Sequence, residues 1–293
     1  MIPVLALLAR PSLDQDGGSL RSRGLLVAAF AATLLVAACA SEDGSVAGET
    51  PSAQGATTEP RSLVVFAAAS LTDAFQDLGR GFEAENPGVK VMFNFAGSQA
   101  LRTQIEEGAA ADVFASASLR EMEVLAAAGM LAGVERTFAT NLLTIIVPPD
   151  NPAGIESPRD LARPGVKLVL AAEEVPVGAY ARQSIALLAD SYGASFAEAV
   201  LENVVSNEDN VKQVVAKVQL GEADAGIVYE TDALAAASLI TIAIPREQNV
   251  AAECPVAVLA QTTNGNLASA FVEYLLSPDG LDALKRWGFR PPL

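Results

Sequence analysis

Histidine is absent from this chain of 293 residues. Its absence excludes Ser-His-Asp and Cys-His catalysis, histidine-ligated zinc or iron, and the usual general base near neutral pH. Basic residues are also scarce, since 19 Lys and Arg stand against 35 Asp and Glu for a formal net charge of −16. Such a surface disfavours nucleic acids and anionic lipid headgroups as partners. Any anionic ligand must therefore be recognised locally, against the field of the whole molecule.

Cysteine is nearly absent as well, and the two that occur have different predicted roles. Cys39 follows an apolar run, residues 24–38, which two arginines precede. Residues 1–38 therefore predict a signal segment, because 15 apolar residues are too few for a comfortable membrane span. The small residues before Cys39 resemble a bacterial lipobox and predict that Cys39 is lipidated; the alternative is an ordinary signal peptide with a chance cysteine. Cys254 is then predicted to be a buried, unpaired residue.

Residues 39–61 are rich in Gly, Ser, Thr, Ala, Pro and acidic residues. This composition predicts a disordered tether that holds a folded domain away from the membrane. The expected location is extracytoplasmic and lipid-anchored, or periplasmic if Cys39 is not lipidated.

Strands and helices alternate from residue 63 onward, which predicts an α/β fold. The segment 63–75 reads as a buried strand followed by a helix, with apolar residues continuing at helical spacing as far as Phe82. Further strands are predicted at residues 89–95, 112–115, 166–170, 225–229, 239–244 and 255–260, and further helices at 118–128, 179–189, 267–276 and 279–287. Helices are also predicted to open at residues 96–100, to follow residues 207–211 and to follow residues 230–232. An extended apolar segment at 140–147 ends in two prolines and predicts a crossover into a second lobe. We expect residues 62–141 and 245–293 to form lobe I and residues 142–244 to form lobe II, each a mostly parallel sheet flanked by helices, with two crossover strands as the hinge.

Candidate binding residues lie at five strand–helix junctions: Ser70, Ser98, Val177, Val211 and Tyr229. In open α/β sheets ligands bind beyond the carboxyl ends of the strands, where helix starts offer free N–H groups and a positive dipole end. None of the five is Lys or Arg, so the predicted site holds an anion by neutral hydrogen bonds. A site made only of donors favours a fully deprotonated tetrahedral oxyanion. Other interpretations remain open for each residue: the serines as helix N-caps, the valines as packing residues and Tyr229 as core edge.

Five motifs, in order along the chain, resemble the molybdate-binding proteins of bacterial ABC transporters. They are VFAAASLTDA at 65–74, FAGS at 95–98, ADVFASA at 111–117, VPVGAYA at 175–181 and GIVY at 226–229. The resemblance implies a two-lobed periplasmic-binding-protein fold of the second topological type. It also implies molybdate or tungstate in the interlobe cleft, with no cofactor and no metal cation ligands.

The same resemblance assigns a role to each candidate. Ser70 and Ser98 would supply hydroxyl and backbone donors, Val177 and Val211 backbone N–H groups, and Tyr229 its phenol. Compared with the family pattern, Asn210 stands as an extra residue before Val211. The implied partners are an ABC permease and the membrane through Cys39, for a monomer that binds no nucleic acid and catalyses no reaction.

Two other functions are weighed against this one. The first is a receptor for sulfate or another divalent oxyanion, which offers the same hydrogen-bonding pattern. The second is an extracellular enzyme that uses a carboxylate pair, with candidates near predicted junctions at Asp112, Glu173, Glu174, Glu208 and Asp232.

Overall fold

The computed structural model describes residues 61–292. The predicted signal segment, Cys39 and the tether lie outside the described residues, except Arg61, where the first strand begins. The strands are β1 (Arg61–Ala68), β2 (Val89–Ala96), β3 (Val113–Ala115), β4 (Arg136–Asn141), β5 (Leu143–Val147), β6 (Leu168–Ala171), β7 (Val204–Glu208), β8 (Ala225–Tyr229), β9 (Ile240–Ala243) and β10 (Ala252–Val258). The α-helices are α1 (Thr72–Glu85), α2 (Ser98–Glu106), α3 (Leu119–Ala127), α4 (Pro176–Tyr192), α5 (Phe196–Glu202), α6 (Val211–Gln219), α7 (Glu230–Ala235), α8 (Gly265–Leu275) and α9 (Pro278–Arg286). Short 3-10 helices occur at Ala69–Leu71, Pro158–Ala162 and Arg246–Gln248.

The strands form two five-stranded sheets, ordered β2-β1-β3-β10-β4 and β7-β6-β8-β5-β9. This confirms the α/β class, and we call the part built on the first sheet the first lobe and the part built on the second sheet the second lobe. Each sheet is mostly parallel, as predicted. Four strands run in one direction, and the fifth, β10 in the first sheet and β5 in the second, runs against both of its neighbours. β5 and β10 are the strands with which the chain enters each sheet from the other. The two sheets meet at the edge where their parallel strands end. A chain that enters a sheet at this edge must run away from it, so its first strand is antiparallel to the neighbouring strands.

The two crossings lie side by side. β4 in the first sheet ends at Asn141, and β5 in the second sheet begins at Leu143. The return runs between β9 and β10, and there the Asn249 side chain holds Leu143 from both sides. Its Oδ1 accepts from the Leu143 N–H at 3.0 Å, and its Nδ2 donates to the Leu143 carbonyl at 2.8 Å. The chain thus passes between the sheets at these two points. That the crossings act as a hinge between the lobes stays a prediction.

The apolar patterns explain how the first lobe assembles. Alternate residues Leu63 and Val65 of β1 are fully buried, and so are Phe75, Leu78 and Phe82 on one face of α1. The sequence pattern predicted this helical stripe, and the structure confirms it. Burial of each such side chain contributes about 1.5–3 kcal/mol, which fixes α1 against the sheet.

Three elements escaped the sequence interpretation. β4 begins before the extended segment at 140–147 and ends inside it, at Asn141. The segment divides at Leu142, with β4 in the first sheet and β5 in the second. α5 and β7 follow α4 and were not predicted. α4 itself begins at Pro176 rather than at residue 179, since proline is favoured in the first turn of a helix. Within residues 61–292, no helix has the length and apolar character needed to cross a membrane.

Candidate functional site

All five predicted junction residues line one small cavity where the carboxyl ends of both sheets meet. The cavity is about 10 Å³ in volume. By the same measure, a cavity needs about 10–15 Å³ to hold one ordered water. Asn210 also lines it, and none of the lining residues is Asp, Glu, Lys or Arg. The fold therefore brings together residues from both lobes, up to 159 positions apart in the chain, around a compact space without formal charge.

The first-lobe side carries two buried serines. Ser70 lies in the 3-10 turn after β1, and Ser98 is the first residue of α2. Neither serine is an N-cap. The N-cap of the 3-10 turn is Ala68 and that of α1 is Leu71. The N-cap of α2 is Gly97, so the interpretation of the serines as N-caps is wrong. The Ser98 Oγ instead accepts a hydrogen bond from the Ala117 N–H at 3.1 Å. This bond occupies a lone pair and leaves the hydroxyl proton available for donation.

The second-lobe side is built from two helix starts. α4 begins at Pro176, which has no N–H, so its first-turn donors include Val177 and Gly178. α6 begins at Val211, with Asn210 as its N-cap. The first amide N–H of α6 therefore belongs to Val211, while the match of Val211 to the family's binding position stays a prediction.

Asn210 is the residue that sequence reasoning missed as a helix cap. Its Oδ1 accepts from the Gln213 N–H at 3.2 Å, and the Gln213 Oε1 accepts from the Asp209 N–H at 3.1 Å. The signal was present, since Asn followed three residues later by Gln is a variant of the capping-box pattern. The cap fixes the direction in which the first amides of α6 point.

Gly178 lets α4 begin directly above the end of β6. A Cβ atom at this position would overlap the carbonyl oxygens of Ala171 and Ala172. The Arg182 guanidinium strengthens the junction by donating to the Ala171 carbonyl at 2.8 Å and to the Gly178 carbonyl at 2.9 Å. The absence of a side chain thus positions the Val177 amide at the cavity.

Tyr229 supplies the last donor. It ends β8, is 2% exposed, and its hydroxyl has no hydrogen-bond partner among the described residues. Burial raises the pKa of the phenol well above its ordinary value, so the group is neutral and keeps its proton. A buried hydroxyl without a partner costs about 1–3 kcal/mol, a penalty that a bound acceptor removes.

The carboxylates considered for an enzyme do not converge on the cavity. None of the five lines the cavity. Asp112 precedes β3, at the edge of the sheet away from the cavity, and accepts from the Val64 N–H at 2.8 Å. Glu208 pairs with Lys217 at 2.8 Å, and Asp232 lies 3.1 Å from the Lys212 ammonium. Within the described residues, Asp112, Glu208 and Asp232 therefore form separate contacts rather than one acid–base pair.

Two α/β lobes that meet at a cavity of neutral donors define a solute-binding protein. The model of the bacterial extracellular solute-binding protein family matches residues 63–290. The chain belongs to this family.

Curated relatives agree with the motif resemblance. The molybdate-binding protein ModA of Mycobacterium tuberculosis is 42% identical over 272 residues, which is 92% of this chain and 98% of the relative. A putative ABC transporter substrate-binding lipoprotein, YvgL of Bacillus subtilis, is 30% identical over 90% of this chain and 96% of its own length. The resemblance to molybdate-binding proteins is thus confirmed at the level of the whole chain.

Solved structures confirm the two-lobed fold. The periplasmic molybdate-binding protein of Azotobacter vinelandii matches with a TM-score of 0.69 at 21% identity, over 79% of this chain and all of that chain. The sulfate-binding protein SubI of Mycobacterium tuberculosis matches with a TM-score of 0.73 at 21% identity, over 79% of this chain and 87% of that one. Backbone shape is therefore shared by receptors of different oxyanions and does not separate them.

Proposed function

We propose that the protein is an extracytoplasmic receptor that binds molybdate and tungstate between its lobes and delivers them to an ABC permease. The observation that carries the proposal is the cavity lined by hydroxyl and helix-start donors from both lobes, with no charged side chain on its wall. The 42% identity to a molybdate-binding protein supports the choice of ligand.

Neutral donors suit a dianion in this acidic protein. Each hydrogen bond to a charged acceptor contributes about 1.5–3 kcal/mol, and several together outweigh the repulsion of a net charge of −16. The starts of α4 and α6 add the positive ends of their dipoles. Monohydrogen phosphate would bring an O–H that needs an acceptor, and the cavity wall carries no carboxylate to accept it. The site thus selects a fully deprotonated oxyanion.

Each lobe has its own part in binding. Ser70 and Ser98 donate from the first lobe, and the amides of Val177 and Val211 and the phenol of Tyr229 donate from the second. Because no single lobe completes the shell, a bound oxyanion favours the closed arrangement and shifts the equilibrium between open and closed forms. The ligand is released unchanged, and binding needs no cofactor, no metal cation and no catalytic residue.

Calorimetry of the purified protein with molybdate, tungstate, sulfate and phosphate tests the proposal. We expect saturable, tight binding of molybdate and tungstate and none of phosphate. A preference for sulfate would instead assign the protein to the sulfate receptors, whose backbone shape it shares. Conversion of any of these anions during the titration would show an enzyme.

We further propose that the receptor is monomeric and anchored to the membrane by lipid on Cys39. The lipobox-like residues before Cys39 and the relative named as a lipoprotein support this. Expression of wild type and Cys39→Ser in a bacterial host, followed by membrane fractionation and mass spectrometry, tests it. We expect lipid on the wild-type chain only, and equal recovery of both proteins in the aqueous fraction would contradict the anchor.

A further inference from the structure

A lysine beside the cavity connects the two lobes. Lys212 follows Val211 in α6 of the second lobe, and its Nζ lies 2.7 Å from the Asp73 Oδ2 on α1 of the first lobe. The same Nζ lies 3.1 Å from the Oδ1 of Asp232, in α7 of the second lobe. One ammonium thus contacts a carboxylate from each lobe, next to the first amide of α6.

The two carboxylates differ in environment. The Asp232 side chain is fully buried, whereas those of Lys212 and Asp73 are 33% and 37% exposed. Burial alone would lower the pKa of Lys212, but Asp232 and Asp73 together raise it, so the ammonium stays charged. Asp232 belongs to the same lobe and orients the ammonium, while Asp73 is reached only across the cleft.

A backbone contact accompanies this ion pair. The Gln99 side chain in the first lobe donates to the Asp209 carbonyl of the second lobe at 3.1 Å. Gly97 makes the approach possible, since a Cβ there would lie 2.6 Å from that carbonyl oxygen. The segment 209–212 therefore lies directly on the first lobe at the starts of α1 and α2.

A second ion pair between the lobes has a different position. Arg290 contacts Glu230 at 2.8 Å, close to the crossing, where the Glu230 N–H donates to the Leu142 carbonyl at 2.8 Å. A contact beside the crossing changes little in length when the lobes rotate about it. The Lys212–Asp73 contact lies instead beside Val211 of the cavity wall, where separation of the lobes would lengthen it.

We propose that Lys212 is a closure residue: held by Asp232, it pairs with Asp73 across the cleft and stabilises the closed lobes over the ligand site. The role of Lys212 in holding the lobes together does not depend on the identity of the ligand, whereas its effect on ligand affinity rests on the proposed function. Lys212 contributes no side chain to the cavity wall, so it acts by positioning the α6 donors against the first lobe.

Lys212→Met and Lys217→Met form a matched pair for the test. Both lysines lie on α6 with 33% and 32% exposed side chains, and each replacement removes one positive charge. Lys217, however, pairs with Glu208 inside the second lobe. We expect Lys212→Met to weaken molybdate binding about fivefold, the effect of an ion pair of about 1 kcal/mol. Small-angle scattering should show a larger radius of gyration for ligand-free Lys212→Met than for Lys217→Met.

Asp73→Asn completes a double-mutant cycle with Lys212→Met. We expect the two losses of affinity to be non-additive, and their coupling to shrink as salt is raised. Gly97→Ala probes the same closure by steric means and should also expand the ligand-free protein. Equal radii for the two lysine variants, or additive effects in the cycle, would overturn the closure role. If the wild-type protein binds no oxyanion, the proposed function fails, and the scattering comparison still decides the role of Lys212.

Discussion

The two halves of the site are built from different chemistry. The first lobe presents two serine side chains, and Ser98 is oriented through the Ala117 N–H. The second lobe presents mainly backbone amides at the starts of α4 and α6, and its one side-chain donor is the Tyr229 phenol. A hydroxyl donor is lost by changing one side chain. An amide donor persists through most substitutions and is lost only when the helix start moves or proline replaces the residue.

The largest effect is expected where one change moves several amides. Gly178→Ala places a Cβ against the carbonyls of Ala171 and Ala172 and displaces the start of α4. We expect molybdate affinity to fall by about 3–6 kcal/mol, equivalent to two charge-assisted hydrogen bonds of about 1.5–3 kcal/mol each. Calorimetry measures the loss. Gly265→Ala is the control, because a Cβ at that helix start meets nothing within 4 Å. Equal affinities for the two variants would contradict the role of Gly178.

Removing a single amide should have a smaller effect. Val211→Pro deletes the first N–H of α6 at a position where helices accept proline. Asn210 already has the extended conformation required before proline, with φ −163° and ψ 168°. We expect a loss of about 1.5–3 kcal/mol in binding free energy, measured by calorimetry. Val211→Ala keeps the amide and trims the side chain, and a loss as large as that of Val211→Pro would show that packing matters rather than the N–H.

The hydroxyl half is tested by Ser98→Ala. We expect molybdate binding to weaken by about 1–3 kcal/mol, because a donor is removed and the Ala117 N–H loses its acceptor. Ser277→Ala is the control, since it removes a serine that caps α9 away from the cavity. That variant should lower the melting temperature without changing affinity. Unchanged affinity in Ser98→Ala would mean that Ser98 serves only the loop at Ala117.

The smallest effect concerns the buried acid behind Lys212. Burial raises the pKa of Asp232 from 3.8 to about 6, despite the nearby Lys212 ammonium. The folded protein therefore binds a proton more readily than the unfolded chain between about pH 4 and pH 6, and this residue makes stability fall as pH rises through that window. Melting temperatures of ligand-free wild type and Asp232→Asn from pH 4 to pH 7 measure the difference, with the exposed Asp282→Asn as control. Parallel profiles for wild type and Asp232→Asn would contradict this expectation.

Much of the fold could be predicted from local pattern. The apolar run of β1 predicted that strand, and the helical spacing from Phe75 to Phe82 predicted α1. Both predictions succeeded because the spacing of buried apolar residues is visible within a short stretch of sequence. The division of residues 140–147 at Leu142 was missed, since two strands of different sheets can form one continuous apolar stretch. The reversed directions of β5 and β10 were missed for a related reason, as strand direction depends on where the chain enters a sheet.

Composition and local pattern were enough to establish the absence of histidine chemistry, the acidic character of the chain and the five junction residues around which a neutral anion site is predicted. The folded chain was needed to show that these junctions share one cavity, that neither serine caps its helix, and that Lys212 reaches Asp73. Distance along the chain explains the difference, because Lys212 and Asp73 lie 139 residues apart and no local pattern of side chains encodes such a contact. The contact arises because the crossings at Leu142 and Asn249 bring the two lobes together.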